Sequence, residues 1–113
     1  MTAAEIGSLV LAAVYATSAA VKLSGSEPGR EIAAKINLSL PLLRVVGGFE
    51  LLGALGLVAG VVLETWMGVA AAVGFVVLMI LGVGAHVRAK EPFAASVPAI
   101  VLGAAAAVLV FTL

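Results

Sequence analysis

Four apolar runs, each about as long as a bilayer core is thick, occupy most of this chain and leave only short polar breaks between them. They are Ile6 to Leu23, Leu42 to Leu63, Trp66 to Val87 and Ala94 to Leu113. A run of ~20 such residues, rising 1.5 Å per residue as a helix, spans a hydrocarbon layer of ~30 Å. The alternative, a domain folded in water, fails on composition. Residues of the AVILMFWYC set make up 64% of the 113 and charged residues 11%, against ~45–50% for a comparable apolar set and ~25% charged in soluble domains. A soluble chain of this length buries only about two-thirds of its unfolded surface, and there are too few polar residues here to cover the rest. The expectation is an all-α integral membrane protein: one domain over residues 1–113, a four-helix transmembrane bundle with lipid as its solvent.

The breaks carry ordinary punctuation. Ser24-Gly25-Ser26-Glu27-Pro28-Gly29 reads as a turn-rich polar loop. Glu64-Thr65 is a very short hairpin, with Trp66 suited to the membrane interface. Arg88-Ala89-Lys90-Glu91-Pro92 closes the third run, and Pro92 disfavours helix at the residue before it. Between the first two runs, Glu31 to Leu40 mixes Ile32, Ile36, Leu38 and Leu40 with Glu31, Lys35 and Asn37. This stretch is too short and too polar to cross, and its amphipathic pattern predicts a short interfacial helix in preference to a bare linker. Met1 to Ser8 has Glu5 and no basic residue, so the first run is read as a retained span and not as a secretory leader.

All six basic residues fall at one end of this layout. Lys22, Arg30, Lys35 and Arg44 surround the first break, and Arg88 and Lys90 sit in the third. By the positive-inside rule those two loops are cytoplasmic, and both termini face out of a cell membrane crossed several times. A net charge of zero argues against nucleic acid as a partner.

Glu50 most needs a physical explanation, because a charged group inside a span costs ~2.5–3.5 kcal/mol even on lenient insertion scales. Counted from Leu42 it lies roughly 12 Å below the cytoplasmic surface. Tyr15 reaches about the same depth on the first span, and Tyr15, Ser18 and Lys22 line one helical face. Met79, Gly82 and His86 form a similar stripe on the third. Arg44 is six residues from Glu50 and points elsewhere around its own helix, so it reaches that carboxylate only by bending inward or through water. The expected polar cluster in the cytoplasmic half is therefore Tyr15, Ser18, Lys22, Arg44, Glu50 and His86. Each has a plainer role beside this one. Lys22 and Arg44 can snorkel to headgroups, His86 can be an ordinary interfacial residue, and Glu50 can serve as a buried hydrogen bond that holds two helices in register.

Gly53, Gly56 and Gly60 share a face of the second span, and Gly68, Ala72, Gly74, Gly82 and Gly84 populate the third. With Gly47, these small residues predict close helix packing, with a surplus for a homo-oligomer contact. The chain has no Cys and no Asp, and His86 is its single histidine. One protomer thus lacks the groups for a disulfide, an iron–sulfur cluster, a thiolate or two-His metal site, a bis-His haem or a Ser/His/Asp triad. No metal site is expected, and no catalysis by the chain alone.

The pattern Lys22-Leu23, Pro41, Arg44, Gly47, Glu50, Leu51, Gly53 and Leu57, resumed by Met79, Gly82, Ala85-His86 and Arg88, resembles the DoxX-like family of small four-helix membrane proteins. The likeness covers nearly the whole chain and is most specific from Pro41 to Gly60. It implies recurrent Lys, Arg, Glu and His positions at Lys22, Arg44, Glu50 and His86. Better-studied relatives include subunits of a thiosulfate:quinone oxidoreductase, partners of redox and radical-detoxifying enzymes, and an assembly chaperone. The leading expectation is an accessory or quinone- or lipid-binding subunit of a membrane redox system, with quinone as the candidate cofactor and a membrane-associated redox protein as partner. A non-catalytic assembly factor is the alternative. A small proton-coupled exporter ranks below both, because the acid on the first span, Glu5, lies at its mouth and not mid-membrane.

Overall fold

The computed structural model describes all residues from Met1 to Leu113. It is helical throughout, with no strand: α1 (Ala3–Leu23), α2 (Glu27–Lys35), α3 (Leu40–Val62), α4 (Thr65–Arg88) and α5 (Val97–Thr112), the last entered through a 3-10 turn at Phe93–Ser96. Four helical stretches are long and apolar enough to cross a membrane: α1, α3, α4, and the 3-10 turn continuous with α5. The Cα envelope is 40 Å long, enough to span a hydrocarbon core of ~30 Å and reach the headgroups.

Each helix begins where the local chemistry permits. Thr2 caps α1 in a capping box: its hydroxyl accepts from the Glu5 N–H at 3.1 Å, and its own N–H donates to Glu5 Oε1 at 3.1 Å. Ser39 caps α3, and Pro28, Pro41 and Pro98 occupy first-turn positions of α2, α3 and α5, where a missing N–H is harmless. Inside the spans, the Ser8, Thr17 and Thr112 hydroxyls donate to carbonyls four residues back at 2.8–2.9 Å, so no water is needed to satisfy them.

The second helix corrects one expectation. The stretch from Ser24 to Gly29 was expected as loop and Glu31 to Leu40 as helix, but α2 runs from Glu27 to Lys35. Pro28 therefore starts a helix and does not break one. Asn37, in left-handed conformation at φ 52°, ends the segment well before Leu40. Gly25, also left-handed at φ 66°, makes the reversal between α1 and α2. The apolar side of α2 is still used: Ala33 and Ile36 pack with Leu43 in a small cluster that ties α2 to the start of α3.

Around the bundle, α1 packs against α3, α3 against α4, and α4 against α5. The seam between α5 and α1 is the weakest of the ring. The main core takes Leu11, Ala12 and Tyr15 from α1, Ala54 and Leu57 from α3, Ala72 and Phe75 from α4, and Ala106 and Leu109 from α5. Only 19 of 113 residues are buried, while Val10, Leu52, Leu55, Ile80, Leu81 and Val101 stand exposed along the middles of the long helices. In water such a surface would aggregate; in lipid it is the expected exterior.

Candidate functional site

At the end of the bundle where the basic residues gather lies a cleft of about 530 Å³. At the other end α1 and α5 touch, with Gly7 against Leu109. All five helices contribute to the cleft. Tyr15, Ser18 and Lys22 come from α1, Glu50 and Val46 from α3, and Met79, Gly82 and His86 from α4; Ile32 of α2 and Pro98, Ala99 and Leu102 of α5 complete the wall. Its lining is mainly apolar, with the polar groups on α1, α3 and one end of α4. Its rim includes the exposed Leu42 and Leu81.

Glu50 is 1% exposed, and its Oε1 accepts a hydrogen bond from Lys22 Nζ in an ion pair that joins α3 to α1. Lys22 reaches it because α1 and α3 lie very close at this level: a Cβ placed on Gly47 would stand 2.9 Å from Lys22 Cβ and 3.2 Å from Leu23 Cγ. The other carboxylate oxygen, Oε2, is buried without a hydrogen-bond partner. The same is true of the Tyr15 hydroxyl. The Tyr15 ring lies flat on Phe75 of α4, with centroids 3.6 Å apart and planes 11° from parallel. Gly53 leaves the room that the Phe75 ring occupies, since a Cβ there would meet it at 2.8 Å and closer. At the mouth, His86 Nδ1 faces Glu91 Oε1 at 3.5 Å.

Five of the six residues expected to cluster thus line one cleft: Tyr15, Ser18, Lys22, Glu50 and His86. Arg44 does not. It is exposed, and its guanidinium lies over Gly25 in the α1–α2 turn. Six residues of helix turn Arg44 some way round α3 from Glu50, and the nearer cation, Lys22, already holds the carboxylate. Of the packing glycines, Gly56 meets Ala71 and Gly60 meets Gly68 across the α3–α4 contact, while Gly82 makes only ordinary contact with Ala99 at 3.8 Å. Phe75 and Glu91 were missed by sequence reasoning. An aromatic residue midway along an apolar helix carries no local mark of a partner, and Glu91 looked like loop punctuation.

Residues 6–109 match the DoxX-like family. The chain belongs to that family. No curated protein and no solved structure matches it. With four helices of spanning length and composition, this DoxX-like chain is a multi-pass membrane protein. Its Lys22, Glu50 and His86 lie on the cleft, and its Gly47, Gly53, Gly56 and Gly60 lie at helix contacts.

A buried ion pair, a buried hydroxyl and an imidazole at the mouth offer donors and acceptors on one part of an otherwise greasy wall.

Proposed function

We propose that the chain is a quinone-binding accessory subunit of a membrane redox system. The observation that carries this reading is the cleft itself: it is of a size usual for small-ligand sites, it is mainly apolar, and it holds the Lys22–Glu50 pair and three buried polar atoms without hydrogen-bond partners, Glu50 Oε2, the Tyr15 hydroxyl and His86 Nδ1. A quinone ring carries oxygens that match Lys22, Tyr15 and His86, and its isoprenoid tail belongs in lipid. Since this chain has neither thiol nor Asp and a single His, electrons would come from a partner protein. The test is to purify the chain in native lipid and extract it. Bound quinone, with respiration reduced in a Glu50→Gln strain, is the expected result. An extract free of quinone together with unchanged respiration would overturn the proposal.

A second reading, a non-catalytic assembly factor, draws on the ion pair alone, because Lys22 and Glu50 join α1 to α3 and a helix pin needs no ligand. Here a partner would mislocalise in cells lacking the chain yet behave normally beside Glu50→Gln. A pull-down in mild detergent with fractionation of the partner decides between the two.

A further inference from the structure

The cleft contains an asymmetry that bears on which form of a ligand it holds. Glu50 Oε2 and the Tyr15 hydroxyl are both buried and unpartnered, on side chains that are each 1% exposed and that line the same cavity. Lys22 engages the other carboxylate oxygen in an ion pair, and a carboxylate in such a pair is an acceptor only. A buried acceptor of this kind is satisfied only by a donor. The two carbonyls of an oxidised quinone have lone pairs and no proton, so against Oε2 they set acceptor against acceptor. A ring hydroxyl donates to Oε2, and its oxygen still accepts from the Tyr15 O–H. The remaining N–H groups of Lys22 do not discriminate, because either form offers them an oxygen.

We infer that the cleft selects an amphiphile whose aromatic head carries a hydrogen-bond-donating hydroxyl, and therefore holds the hydroquinone in preference to the quinone. This rests on the reading that the cleft takes a quinone-type ligand and adds which oxidation state it prefers. Glu50 is the residue that reads the proton. Tyr15, fixed by its stack on Phe75, presents the second contact at a set place.

The experiment is an anaerobic calorimetric titration of the full chain in nanodiscs with three probes: a decyl-benzoquinone, its hydroquinone, and the dimethyl ether of that hydroquinone. The expected result is hydroquinone binding roughly tenfold or more tighter than either of the others, the scale of one hydrogen bond to a charged group. Glu50→Gln, whose amide offers a donor as well as an acceptor, abolishes that preference. Equal binding of all three overturns the inference and leaves the quinone reading standing. Binding of none removes the reading and the inference with it. A preference that persists in Glu50→Gln overturns the assignment to Glu50. The wild-type series decides the hydroxyl preference alone, so a Glu50→Gln chain that fails to fold does not shelter it.

Discussion

Glu50 and Lys22 behave as a unit, because each makes the other's burial tolerable. Removing one partner of a buried ion pair leaves an uncompensated charge and costs about 3–5 kcal/mol, whereas replacing both by apolar groups of similar size is close to neutral. Lys22→Leu is therefore expected to lower the melting temperature in detergent sharply, and Lys22→Leu with Glu50→Leu to recover most of it. A double variant that melts as low as the single would contradict the ion pair as drawn. Arg44→Gln serves as the contrast. Arg44 is exposed and lies over Gly25 instead of Glu50, so its removal is expected to stay within about 0.5 kcal/mol. The depth of Glu50 and the face shared by Tyr15, Ser18 and Lys22 follow from counting along single helices. The choice of Lys22 over Arg44 follows only in part: the six-residue spacing turns Arg44 away from Glu50 on α3, but the rotation of α1 that brings Lys22 to the carboxylate is recorded in neither helix alone.

The helices are held together by what their side chains omit. A Cβ on Gly60 would stand 2.5 Å from the Gly68 backbone, and backbone cannot swing aside as a side-chain tip can. Gly60→Ala is expected to force α3 and α4 apart and to destabilise by about 1–3 kcal/mol. Gly48 and Gly74 have nothing within 4 Å, so alanine at either is expected to be neutral or slightly stabilising, since glycine is the weaker helix former. Thermal melts of the three variants check this, and equal losses at all three would mean that the α3–α4 contact is drawn wrongly. The pattern of small residues marked Gly60 and Gly74 alike as packing residues. It could not separate Gly60, pressed on another backbone, from Gly74, which has nothing within 4 Å, because that depends on which sides of α3 and α4 meet. The start of α2 was misread for a related reason. Proline ends helices from within but is well suited to their first turn, and the choice between these depends on what the following residues bury.

Seen entire, the bundle has one end rich in positive charge and one without it. Lys22, Arg30, Lys35, Arg44, Arg88 and Lys90 border the first and third loops, and the Glu64 hairpin has no basic residue. The expected topology has those loops in the cytoplasm and both termini outside. The chain has no native cysteine, so single cysteines report cleanly. Glu64→Cys is expected to react with a membrane-impermeant maleimide added to intact cells, and Glu27→Cys only after lysis. The reverse pattern would invert the orientation and place the cleft on the outer side.

Number of crossings, approximate limits of each span, the charged end and the depth of the one mid-span acid were all determined by the order of residues. These depend on hydropathy and on distance along a helix, both local properties. The partner of Glu50, the Tyr15–Phe75 stack, the His86–Glu91 contact and the cleft between the helices were decided by tertiary structure alone. Each depends on how far one helix is rotated and tilted against another, and in lipid an apolar helix carries little in its own sequence to record that angle.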